Sequence, residues 1–132
     1  MPQLTSEEAP RRVTRPWPTG KVRPLEDVAR CVAKAKAKGK RVVHCHGVFD
    51  LLHPGHIRYL EAAKREGDLL VVTVTQDEYV NKGPGRPVFN QRLRAESLAA
   101  LACVDYVAVN RWQTAVETIQ MLRPDIYAKG VE

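Results

Sequence analysis

Paired cysteines are missing from this sequence. Cys31, Cys45 and Cys103 stand far apart and match neither a disulfide scaffold nor a zinc ribbon, so they read as reduced, structural thiols. Long apolar runs are missing too. No stretch approaches the roughly 20 residues of a membrane span, and nothing near Met1 has the apolar core of a signal peptide, so the expected compartment is the cytoplasm. Outside the leader there is no excess of basic charge: residues 1 to 40 hold 10 Lys/Arg against 4 Asp/Glu, whereas residues 41 to 132 hold 11 of each. The formal charge of +6 therefore belongs to the leader, which reads as a solvated arm and makes nucleic acid an unfavoured partner. What is present is a chain of 132 residues, 44% hydrophobic, the size and composition of one globular domain with a real core.

Five of the nine prolines fall in the first 24 residues, and Pro10 to Gly20 shows no period, so residues 1–24 read as an extended, basic, Pro-rich arm that Trp17 can anchor. Leu25, Val28, Val32 and Ala35 recur at helical spacing before Gly39, which predicts a leading helix over 25–39 with a cationic last turn. The rest, 40–132, alternates. Strands are expected at Val42 to Phe49, Leu69 to Thr75, Tyr106 to Val109 and Ile126 to Ala128, with helices at Pro54 to Arg65, Asn90 to Leu101 and Thr114 to Leu122. Such repetition implies an α/β fold with a parallel sheet and right-handed crossovers, whose ligand sits beyond the strand C-termini where the strand order reverses.

The end of the first strand is the natural place for that ligand. Leu52-His53-Pro54-Gly55-His56 follows it directly, with Pro54 suited to a first helical turn and Gly55 allowing close approach of the backbone. A helix N-terminus presents unpaired N–H groups and a positive dipole end to an anion. His53 and His56, three residues apart on one side of that turn, add two donors able to grip a phosphate whose charge redistributes during reaction. After the second strand, the loop from Gln76 through Asp77, Lys82 and Arg86 also opens on the C-terminal edge of the sheet. Lys82 is a point charge, and Arg86, Arg92 and Arg94 can hold phosphate bidentately, so this loop and the next helix are expected to close over a polyphosphate.

Gly47-Val48-Phe49-Asp50, His53-Pro54-Gly55-His56 and Val104-Asp105-Tyr106-Val107 together resemble the cytidylyltransferase-like branch of the nucleotidyltransferase superfamily, over roughly residues 40 to 132. The likeness extends to the glycerol-3-phosphate cytidylyltransferases and, in Arg86-Pro87 and Lys129-Gly130, to the adenylyltransferase domains of bifunctional ADP-heptose synthesis enzymes. It implies a Rossmann-like, doubly wound parallel sheet. It also implies that His53 and His56 stabilise the transferring α-phosphate, that Lys82 and Arg94 serve catalysis, and that Gly47, Val48, Phe49, Asp50, Gly55, Lys129 and Gly130 hold the nucleotide. Asp77, Arg86, Arg92 and Trp112 are candidates for the acceptor side. Leu93 stands where relatives usually carry Gln, and relatives continue past the Lys-Gly into a further helix, a fifth strand and a Ser/Thr-rich motif, whereas this sequence stops at Glu132. The expected domain is therefore C-terminally incomplete, its last helix and strand lying beyond this sequence.

The activity so implied is nucleotidyl transfer from CTP or ATP to a sugar- or polyol-phosphate with release of pyrophosphate, with Mg²⁺ accompanying the triphosphate and no metal held by protein side chains. A homodimer is implied as well. Two other classes stay open on the residues alone. His44, His46, His53 and His56 form a sequence cluster of imidazoles, although alternating His44 and His46 fit hydrogen-bonded core histidines and no set of carboxylates completes a metal site. The other class is a catalytically incomplete module that binds nucleotide or dimerises within a larger, sugar-kinase-fused protein. The base and the acceptor are not legible in any side chain.

Overall fold

Val42, Val43 and Cys45, and the run from Leu70 to Val74, supply the small and β-branched side chains that suit a strand covered on both faces. In the computed structural model, which describes residues 20–81 and 83–130, they form β1 (Val42–Gly47) and β2 (Leu69–Val74). With β3 (Tyr106–Val109) and β4 (Ile126–Tyr127) these make a parallel sheet in the order β3-β2-β1-β4. Helix α1 (Leu25–Ala37) precedes the sheet, and α2 (Pro54–Arg65), α3 (Gln91–Ala99) and α4 (Val116–Leu122) carry the crossovers.

Strand alternation divides the core in two. Val43, Cys45, Leu70, Val72 and Val107 pack against Leu60 and Ala63 of α2 and Ala95 and Leu98 of α3. Val42, Val71 and Ala108 face the other way, onto Leu25, Val28 and Val32 of α1 and Leu122 of α4. Each such fully buried Val or Leu contributes about 1.5–3 kcal/mol relative to exposure. This is the expected α/β, Rossmann-like doubly wound fold. After building β1, β2 and β3 in one direction, the chain returns to place β4 on the other side of β1. The order therefore reverses at β1, and the crevice between β1 and β4 is the switch point.

Several element ends differ from the sequence expectation for local reasons. β1 stops at Gly47 because Phe49 adopts a positive φ of 50°, which turns the chain out of the sheet. α3 starts at Gln91, with Asn90 as its cap: Oδ1 accepts from Leu93 N–H at 2.9 Å. α4 begins at Val116, not Thr114, because Asn110 Nδ2 donates to the carbonyls of Trp112 and Thr114, both at 2.8 Å, and holds them in a loop. Asp105, read with Val104 as part of the family pattern, joins elements: its Oδ2 accepts from Leu70 N–H at 2.8 Å and from Lys64 Nζ at 2.6 Å. The expected arm also ends earlier than residue 24. Val22 pairs in parallel with Val107, with Lys21 O accepting from Val107 N–H and Val107 O accepting from Arg23 N–H. The remainder of the arm, with Trp17, lies outside the described residues.

Candidate active site

The turn after β1 is held by its own side chains. His53 is the N-cap of α2, and its Nδ1 accepts from Gly55 N–H at 3.0 Å while His56 Nδ1 accepts from His53 N–H at 3.4 Å, a reciprocal capping box built from two imidazoles. An Nδ1 that accepts carries no proton, so each neutral ring keeps its proton on Nε2. The ring centroids lie 3.9 Å apart, and Phe49 meets His56 edge-on at 5.8 Å. Gly55 leaves room for this cap: a Cβ would lie 2.7 Å from Cε1 of His53 and push that ring aside. Gly47 does the same for the Phe49 ring, which folds back over it to 2.9 Å from where a Cβ would stand.

This turn opens onto a cavity of about 870 Å³ at the β1/β4 crevice. Gly47, Val48, Phe49, His53, Gly55, His56, Lys129 and Gly130 all line it, so the structure brings together most of the residues expected to hold a nucleotide. Four further lining residues, His46, Tyr59, Thr75 and Tyr127, were not singled out as site residues from the sequence. Tyr59 ties the two walls together. Its hydroxyl donates to Ala128 O, and its ring would lie 3.2 Å from a Cβ at Gly130, so the Lys129-Gly130 segment is packed onto α2. Burial raises the Tyr59 phenol well above its ordinary range, keeping it a neutral donor.

The expected cations are distributed differently. Arg94, expected at the phosphates, has a side chain with no exposed surface, and each of its three nitrogens is spent on protein. Nε donates to Phe89 O at 3.0 Å, Nη1 to Val48 O at 2.8 Å and Nη2 to Asp77 Oδ1 at 2.7 Å. Arg94 is thus a clamp beneath the site, fixing the carbonyl side of the β1 turn, and Asp77 is its ion-pair partner. Asp50, expected on the nucleotide, is likewise committed. Its Oδ2 accepts from Arg86 Nη1 at 3.0 Å and Val88 N–H at 2.8 Å, and its Oδ1 from Phe89 N–H at 2.9 Å. Burial pushes the Asp50 carboxyl up, but the Phe89 and Val88 amides and Arg86 outweigh it and hold it below the usual carboxylate range. Arg86 is therefore placed by Asp50. Arg92 is exposed on α3, and Trp112 packs into the α1/α4 core, away from the residues that line the cavity. Lys82 lies outside the described residues.

His44 and His46 are hydrogen-bonded, as a core reading expects. His44 Nε2 and His46 Nδ1 each lie 2.8 Å from Thr73 Oγ1. Burial, with His46 alongside, lowers His44 to about 3, and burial lowers His46 in the same direction, so both are neutral near pH 7. Among the described residues, no three of His, Cys, Asp and Glu converge as a metal site. Nor is any described helix long and apolar enough to cross a membrane.

Residues 44–132 match the family model described as cytidylyltransferase-like. This chain belongs to the cytidylyltransferase-like family. Among curated relatives, it is 46% identical over 112 residues to the bifunctional protein HldE of Syntrophotalea carbinolica, covering 83% of this chain and 23% of that protein. It is 42% identical over 132 residues to the bifunctional protein HldE of Gluconobacter oxydans, covering 98% and 28%. A solved structure, the lipopolysaccharide core biosynthesis protein of Thermoplasma volcanium GSS1, superposes with a TM-score of 0.63 at 35% identity, covering 67% of this chain and 73% of that one. The cytidylyltransferase-like chain thus spans about a quarter of the length of these curated relatives. Family membership makes it a nucleotidyltransferase-type domain.

Proposed function

We propose that this domain transfers a nucleotidyl group from ATP or CTP to a sugar- or polyol-phosphate and releases pyrophosphate. The reciprocal cap of His53 and His56 carries the reading: it fixes two protonated Nε2 atoms on the wall of a cavity at the sheet's switch point, beside the N-terminus of a 12-residue helix. In the step, an oxygen of the acceptor phosphate attacks the α-phosphorus. The new P–O bond forms as the bond from the α-phosphorus to the bridging oxygen breaks, and pyrophosphate leaves with that electron pair. The two imidazoles and the helix N-terminus stabilise charge on the α-phosphate oxygens, so catalysis is positioning plus electrostatics. Lys129 adds a cation at the β4 end of the cavity, and the family resemblance assigns Lys82 to the phosphates.

Mg²⁺ accompanies the triphosphate in this reading. The described lining residues include no carboxylate, and Asp50 is already committed to three protein donors, so the donor set suits an ion carried by triphosphate oxygens. The HldE relatives and the lipopolysaccharide-core neighbour support a sugar phosphate as acceptor. A homodimer remains part of the reading, to be checked by sedimentation.

The test is pyrophosphate release from ATP and CTP with a panel of sugar 1-phosphates and glycerol 3-phosphate. His53→Ala and His56→Ala are each expected to lose about 10²–10³-fold in rate, the scale of deleting one preorganised donor, while the lost helix cap costs only about 1 kcal/mol of stability and leaves the domain folded. Wild-type rates in either variant would sink the assignment. Nucleotide binding by calorimetry without turnover of any pair would instead favour a binding module.

A further inference from the structure

On the side of β1 turned away from α2, His44 and His46 share a face with Thr73 and Thr75, and their bonding order can be worked out. The Thr73 hydroxyl touches both rings at 2.8 Å but has only one hydrogen to give. His44 Nδ1 is buried with no hydrogen-bond partner. A stranded N–H is rarer and costlier than a stranded lone pair, so His44 carries its proton on Nε2 and donates it to Thr73 Oγ1. Thr73 then donates to His46 Nδ1, and His46 is left with its proton on Nε2. The Thr73 backbone carbonyl is a further hydrogen-bonding neighbour of this ring, and Thr75 Oγ1 lies 3.4 Å from His46 Nε2, long for a hydrogen bond; His46 and Thr75 both line the cavity.

We propose that His44 and Thr73 lock His46 as a neutral Nε2–H donor, and that His46 and the Thr75 hydroxyl form a subsite for a hydroxyl-bearing part of the ligand, across β1 from the phosphate grip. The chemistry of this wall fits a hydroxyl. His46 and Thr75 supply neutral polar groups, and Tyr127 contributes a ring that packs edge-on against His44 with centroids 5.2 Å apart. Two parts of a nucleotidyl-transfer complex carry hydroxyls, the ribose of the triphosphate and the carbon skeleton of the acceptor. The choice between them rests on the proposed function; the lock itself does not.

Nitrogen-15 NMR of the full chain labelled at histidine reads the lock directly. His44 and His46 are both expected as Nε2–H tautomers near pH 7, with Thr73→Val releasing His46 to a tautomer mixture and Thr73→Ser preserving the lock. A wild-type His46 protonated on Nδ1 would overturn it. Calorimetry with ATP, CTP, their 2′- and 3′-deoxy forms, mannose 1-phosphate and glycerol 3-phosphate reads the subsite. His46→Phe, which keeps a ring but no donor, is expected to weaken binding of the relevant ligand about tenfold, with His46→Gln weakening it less. If the ribose is the occupant, wild type discriminates against a deoxynucleotide by a similar factor and His46→Phe does not. If the acceptor is the occupant, only the sugar or polyol phosphate loses affinity. Equal binding of every compound by wild type and His46→Phe, or no binding by wild type, overturns the subsite. Binding that depends on His46 without any pyrophosphate release would overturn the transfer reaction while leaving the subsite standing.

Discussion

The histidine turn and the segment from Asp77 to Arg94 are positioned by contacts of opposite range. His53 and His56 are oriented by backbone N–H groups two and three residues away. Asp50 reaches 36 to 39 residues along the chain to Arg86, Val88 and Phe89, and Arg94 reaches back 46 residues to Val48. The first arrangement forms with the first turn of α2. The second exists only once the sheet has brought distant segments together, so it depends on the whole fold and reports on it.

That contrast predicts different failures. Arg94→Ala should cost about 2–4 kcal/mol, the scale of emptying the space of a fully buried side chain and leaving the Val48 and Phe89 carbonyls without their donor, while half-exposed Asp77 turns to water. Urea unfolding measures this, and Arg94→Lys, which keeps the charge but loses the planar fork, should fall in between. A variant as stable as wild type but unable to release pyrophosphate would return Arg94 to the reacting phosphates and erase the contrast.

Asp50→Asn should cost less, about 1 kcal/mol, because Asn keeps one oxygen for a backbone amide of the turn and the lost ionic partner, Arg86, is itself part-exposed. Its pH dependence is the sharper readout. The folded carboxyl lies below its ordinary value, so its stabilisation is fully present above the unfolded pKa near about 4 and disappears as the pH falls through the folded value. Wild type should therefore lose more stability than Asp50→Asn on acidification. Identical acid profiles would mean that Asp50 does not hold the turn. Arg92→Ala is the small end of the series: exposed on α3, it should shift stability by no more than about 0.5 kcal/mol, and a larger loss would show a role its placement does not explain.

The same difference in range explains what could be read from the sequence. The strand and helix order, the switch-point location and the histidine turn follow from local periodicity and from residues close in the chain. Arg94 was harder to place because chemistry alone marks an arginine as a phosphate ligand. The helix itself gave little warning: α3 has almost no apolar stripe, Leu93 is exposed while Arg94 is buried beside Ala95 and Leu98, and only the assembled fold turns the guanidinium inward. Trp112 misled for a related reason, since its environment is set by α1 and α4. His46 was read as a core histidine or as one of a cluster of imidazoles and not as part of the ligand site, because its cavity wall exists only when β1, β2 and β4 are assembled. Phe49's positive φ, which shortens β1, has no signature in a β-branched run.

The pairing of residues 21–23 with Val107 has a consequence for how this domain behaves in a crowded solution. β3 is a lateral strand of the sheet, and a lateral strand offers its bare amides and carbonyls to any passing chain. Here Val107 spends both its N–H and its C=O on Lys21 and Arg23 of its own leader. The segment before α1 thus covers part of that edge, and a chain trimmed to begin at Leu25 is expected to leave it bare and adhesive.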